Sequence, residues 1–217
     1  MKQTLNPDRR QALKWLGAGM ASVSLFPEHL FGDNAPMTMK PILSSGEKIP
    51  VVGMGTWQTF NVGRDRKLRL DRTEVLKAFF QAGGGMIDCS PMYGSAGEVL
   101  GFALEQIGVP DSLFSAEKVW TGDGDQTRQQ IRTSEKSWGV QPFDLMQIHN
   151  LVAWEPHLRT LRKMKADGEI RYIGITTSHG RRHRDLERLI QNEDLDFVQL
   201  TYNLTHRSVE NRLLPAA

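Results

Sequence analysis

Beyond residue 42 the chain alternates between two kinds of hydrophobic pattern. Short apolar runs punctuated by Gly, Pro or Asp occur at 49–55, 85–89, 113–118, 143–149, 171–176 and 196–201. Runs of that length and density predict β-strands covered on both faces. Between them apolar residues return at helical spacing: Val75, Leu76, Phe79 and Phe80; then Val99, Leu100, Ala103, Leu104 and Ile107; then Leu158, Leu161 and Met164. That period predicts helices with one buried stripe. The stretch 42–49 predicts a small hairpin leading into the first long strand, and 209–217 reads as a closing helix.

A strand recurring about every 30 residues, with a helix in each interval, predicts parallel βαβ units. An open dinucleotide-binding sheet should show G-x-G-x-x-G after its first strand. Gly53-Met54-Gly55-Thr56-Trp57-Gln58 has two of those glycines and lacks the third. Asp88 and Tyr93 follow the second predicted strand, and Lys118 and His149 close the next two. Spreading ionisable residues over several strand ends is the habit of the (β/α)₈ TIM barrel, which is therefore the predicted fold. A complete barrel takes about 250 residues. Only six of eight strands are found, so an incomplete barrel over 37–217 is expected, as a fragment or truncated product.

Composition narrows the function classes. A chain of 217 residues that is 39% hydrophobic can bury a sizeable core. A net charge of +2 gives no broad nucleic-acid footprint. The 6 His show no metal-ligand spacing, so no metal site is expected, and the lone Cys89 excludes an internal disulfide. Residues 1–36 read as an address and linker rather than as part of the domain. Asp8-Arg9-Arg10-Gln11-Ala12-Leu13-Lys14 carries paired arginines, and a weakly apolar run follows from Trp15 to Phe26. That run falls short of the roughly 20 apolar residues of a membrane span. It resembles a bacterial twin-arginine signal with Ala12 where Phe is favoured, and predicts the export machinery as a partner and a periplasmic product.

The segments IPVVGMGTW (49–57), MIDCSPMYG (86–94), LFSAEKVW (113–120), FDLMQIHN (143–150), GEIRYIGITTS (168–178) and DFVQLTYN (196–203) together resemble the aldo-keto reductases. The resemblance implies reduction of aldehydes or ketones by hydride from a nicotinamide cofactor, NADPH by the family's habit. It makes Asp88, Tyr93, Lys118 and His149 a catalytic tetrad. Tyr93 is the expected proton donor, with Lys118 drawing its pKa down from near 10. Asp88 would hold the Lys118 ammonium, and His149 would orient the carbonyl.

Cofactor contacts are expected from Gly55, Thr56, Trp57, Asp88, Thr176, Thr177 and Gln199. Thr176-Thr177 stands where the family often has Ser-Asn, and a hydroxyl cannot reproduce the two-sided Asn amide. The resemblance also implies a stacking aromatic from a seventh strand and phosphate-gripping residues from an eighth; both are expected to be missing before Ala217. The competing expectation is a non-catalytic binding or assembly protein that keeps the front of the barrel, or an inactive remnant. Gly83-Gly84-Gly85 reads as a helix stop rather than a phosphate cradle, and Arg181, Arg182 and Arg184 as a turn and helix start.

Overall fold

A computed structural model describes residues 37–217. The predicted address segment, its paired arginines included, lies outside the described residues. The chain opens with an antiparallel hairpin of β1 (Met39–Pro41) and β2 (Lys48–Pro50). Six parallel strands follow: β3 (Met54–Gly55), β4 (Met86–Asp88), β5 (Phe114–Val119), β6 (Leu145–Ile148), β7 (Tyr172–Thr176) and β8 (Phe197–Gln199). They pair strictly in chain order, β3-β4-β5-β6-β7-β8. The helices α1 (Arg66–Gln81), α2 (Ala96–Ile107), α3 (Thr127–Trp138), α4 (Trp154–Ala166) and α5 (His183–Asn192) fill the crossovers, and a short α6 (Leu213–Ala216) comes last. This is the curled, incomplete (β/α)₈ arrangement that the pattern predicts.

Side-chain alternation along the strands builds two layers. Ile87, Val119, Met146, Ile148, Ile173 and Ile175 face outward and pack under Leu76, Leu100, Leu104, Ile131 and Leu161 of the helices. Each such fully buried aliphatic chain stabilises the fold by about 1.5–3 kcal/mol. Facing inward, Phe114, Ala116, Leu145 and Tyr172 form a second cluster with Ile42 of the hairpin. A cavity of about 620 Å³ lies inside the curl, lined by the hairpin and by edge strand β8 and reaching Asp88 and Gln147.

Two expectations are corrected. The predicted strand over 49–55 is two elements, because Pro50 ends the hairpin strand and the chain bends through exposed Val51 and Val52 before β3 starts at Met54. The closing helix over 209–217 is a 3₁₀ turn (Ser208–Asn211) followed by α6. The triple glycine is the helix stop expected of it. Gly83 adopts φ +84°, and a Cβ on Gly84 would collide with the Phe79 ring.

Two helices escaped the periodicity reading. α3 turns Thr127, Ile131, Ser134 and Trp138 inward, a stripe half polar and therefore nearly silent on a hydrophobic scale. α5 buries only Leu186 and Leu189. Among the described residues no helix is long and apolar enough to cross a membrane.

Candidate active site

Parallel register brings the four ionisable residues together. Gly55 pairs with Asp88, Asp88 with Ala116, and Lys118 with Gln147, so inward-facing side chains of neighbouring strands lie level at the carboxyl end of the sheet. The Lys118 side chain is wholly buried. Its ammonium donates to Asp88 Oδ1 and Oδ2, each at 2.6 Å, and to the Cys89 carbonyl at 2.7 Å. All three of its donors are thereby used, which is how a buried lysine remains tolerable.

Asp88 has a further partner that the sequence reading overlooked. Gln147 Nε2 donates to Asp88 Oδ1 at 3.0 Å from inside the curl. Gly174 permits this, since a Cβ there would meet Gln147 Cγ at 3.0 Å and Phe197 Cβ at 3.1 Å. An apolar run containing one glutamine is the only signal the sequence carries for it. Thr56 donates its hydroxyl to the Asp88 carbonyl at 2.9 Å, so the loop after β3 is tied to the same residue.

Tyr93 ends a one-turn 3₁₀ helix, Pro91–Tyr93, capped by Ser90. Its ring centroid lies 5.1 Å from the Lys118 ammonium and 5.8 Å from the His149 ring, which meets it edge-on. The expected depression of the Tyr93 pKa is not what the geometry produces. Burial first, and then the charge of Asp88, hold its hydroxyl well above the ordinary tyrosine value. The physical reason is that Lys118 sits against the ring and spends its donors on Asp88 and Cys89, not on the phenolic oxygen. Tyr93 therefore stays protonated near neutral pH.

His149 is pushed the other way, to about 4, by burial and then by the Lys118 charge, so its imidazole is neutral. Its Nδ1 lies 2.8 Å from Ser90 Oγ. On the opposite face of β5, Glu117 is also fully buried, taking hydrogen bonds from the Lys118 amide (2.7 Å) and from Trp138 Nε1 (3.1 Å). Burial drives its carboxyl up to about 8. Cys89 is a buried thiol pushed up to about 12, again chiefly by burial.

The residues expected at the cofactor lie around the same mouth. The Thr176 hydroxyl accepts from the Asn150 amide at 2.9 Å, and the Thr177 amide donates to the Gln199 carbonyl at 3.0 Å. The Gln199 side-chain amide makes no hydrogen bond among the described residues. It can offer the donor and acceptor that a carboxamide needs, and a Cβ on Gly55 would meet only open space. This donor set fits the nicotinamide end of a dinucleotide. Trp57 is half exposed at the rim, edge-on to His179 with centroids 6.4 Å apart.

Arg182, at the start of α5, donates to the carbonyls of Asn150 (3.1 Å) and Leu151 (2.9 Å), tying the loops after β6 and β7. Among the described residues every non-glycine with positive φ lies in a loop following a barrel strand. These are Gln58 after β3, Asn150, Leu151 and Ala153 after β6, and His179 and Arg182 after β7. Such residues cost on the order of 1–3 kcal/mol each and collect where a site needs a particular backbone shape. Among the described residues no group of His, Cys, Asp or Glu could hold a metal ion.

Comparison with known proteins points to one family. The profile of the aldo/keto reductase family matches residues 51–217. Methylglyoxal reductase YeaE of Escherichia coli is 30% identical over 186 residues, which are 82% of this chain and 64% of that protein. The chain thus spans just under two thirds of that relative. A crystal structure of an aldo/keto reductase from Brucella melitensis is 28% identical with a TM-score of 0.65, covering 82% of this chain and 68% of that one. An aldo-keto reductase from Klebsiella pneumoniae, solved in complex with NADPH, shares the fold at 24% identity and a TM-score of 0.68, over 82% of this chain and 64% of its own.

Proposed function

The chain belongs to the aldo/keto reductase family, and from that membership and the geometry above we propose that its site reduces aldehyde or ketone carbonyls with NADPH. One observation carries the reading. A fully buried ammonium clamped by Asp88 lies beside a protonated tyrosine and a neutral histidine, at the carboxyl ends of neighbouring strands. When bound, NADPH would supply the hydride. Gly55, Thr56, Trp57, Thr176, Thr177 and Gln199 would hold its nicotinamide end.

The chain's own residues handle the proton. As negative charge develops on the carbonyl oxygen, Tyr93 gives up its hydroxyl proton to it. His149, uncharged, adds a hydrogen bond that orients the oxygen. Gln147 and Asp88 keep the ammonium in place throughout.

Methylglyoxal is the first substrate to assay, after the name of the relative, with loss of NADPH absorbance as the readout. Tyr93→Phe should lower turnover by about 10²–10⁴-fold while NADPH still binds, as followed by its fluorescence. Turnover at the parental rate would refute the acid assignment. Export belongs to the same proposal and rests on Arg9 and Arg10. Replacing both by Lys should retain the protein in the cytoplasm, and unchanged export would remove that part.

A further inference from the structure

We propose that Ser90 is a positioning residue that sets the tautomer of His149, so that the imidazole presents a donor, Nε2–H, to the carbonyl oxygen. The inference rests on the function proposed above for the meaning of that donor, but not for the tautomer itself. A neutral imidazole has one N–H, and the group facing Nδ1 decides which nitrogen carries it. Burial and the Lys118 charge keep His149 neutral, and its Nδ1 faces Ser90 Oγ at 2.8 Å.

Counting hydrogens selects the direction of that bond. Ser90 is 2% exposed, so its hydroxyl hydrogen needs a partner within the protein. The oxygen already accepts from the Met92 amide at 3.2 Å. Among the described residues His149 Nδ1 is the other group within hydrogen-bond distance of this oxygen. If Nδ1 carried the proton, Ser90 Oγ would accept twice and its own O–H would be buried without an acceptor. That arrangement forfeits a hydrogen bond and adds a desolvation cost. With Ser90 O–H donating to an unprotonated Nδ1, both groups are satisfied and the proton resides on Nε2.

The same hydroxyl joins two parts of the site. Through Met92 it caps the turn that ends at Tyr93, and through Nδ1 it orients the ring that meets Tyr93 edge-on. With the other tautomer, an Nε2 lone pair would face the lone pairs of a carbonyl oxygen, and His149 would repel the atom it has to orient.

The test is nitrogen NMR of the full chain labelled with ¹⁵N-histidine, with the His149 signals identified by their loss in His149→Asn. In the parent protein near neutral pH, Nε2 should resonate as a protonated nitrogen and Nδ1 as an unprotonated one. The reverse pattern would overturn the proposal. In Ser90→Ala the ratio of the two tautomers should shift by roughly fivefold or more towards Nδ1–H, the scale of one lost hydrogen bond. Ser90→Thr, which keeps the hydroxyl and the cap, should restore the parental pattern.

A ratio unchanged in Ser90→Ala would show that Ser90 only caps the turn. Loss of the cap alone moves Tyr93 and stability but not the imidazole proton, so the two roles separate. Because the readout is spectroscopic, the tautomer assignment can stand even if the protein fails to reduce any carbonyl. That outcome would count against the functional reading alone.

Discussion

At the amino ends of the barrel strands, Phe114, Tyr172 and Phe197 fill the interior with rings whose centroids lie 5.8 Å apart, over Ile42 of the hairpin. At the carboxyl ends of the same strands, the interior holds an ammonium and a carboxylate. At the amino end Arg171 bridges Glu47 and Asp144 with its side chain about half exposed. At the carboxyl end Lys118 and Asp88 pair inside the curl, and among the described residues the left-handed non-glycine residues all lie in that end's loops. The difference separates stability from chemistry within a single sheet. Apolar contact stabilises one end without specifying anything about a substrate. The other end holds groups that would rather be in water, and it tolerates them only because each is matched donor to acceptor.

The sharpest way to break the comparison is Lys118→Met. Removing the cation leaves Asp88 without its counter-ion and should cost about 3–5 kcal/mol, as well as more than about 10²-fold in carbonyl reduction. Denaturant unfolding and NADPH oxidation measure the two losses. A stable, active variant would mean that the ion pair is ornamental.

Phe114→Ala tests the opposite end. It should cost a similar 3–5 kcal/mol through a cavity in the aromatic layer, yet leave turnover per folded molecule within about twofold. Loss of activity in the folded fraction would show that the two ends are coupled.

The smallest effect concerns Glu117, whose carboxyl is held up at about 8 against an ordinary 4.5. A raised acid contributes stability that is full below about 4.5 and is lost as pH rises through about 8. Between about pH 7 and pH 9 the parent should therefore lose stability more steeply than Glu117→Gln, by on the order of 1 kcal/mol or more. Equal slopes in urea midpoints would place the proton elsewhere. His149 does not confuse that window. Its folded pKa is lowered from 6.5 to about 4, so its contribution is full above 6.5 and is lost only as pH falls through that lower range.

Legibility in the sequence followed what each residue does locally. Asp88, Tyr93, Lys118 and His149 were visible because each follows or closes an apolar run, and strand ends are where α/β folds place reactive groups. Gln147, Ser90 and Glu117 were not. A glutamine or glutamate within an apolar run looks like a misplaced polar residue until a partner on another strand or helix is known. For Gln147 that partner is Asp88, for Ser90 it is His149, and for Glu117 it is Trp138, each distant in the chain.

The six-strand order and the outer hydrophobic layer were determined by the sequence itself, because hydrophobic spacing and turn residues act over a few positions and repeat along the chain. Only the tertiary structure decided how the protons are held. It set Lys118 against the ring of Tyr93 instead of its hydroxyl, kept His149 uncharged, and aimed Ser90 at the imidazole. Those outcomes depend on burial and on distances of a few ångströms between strands, and no pattern along one strand encodes them.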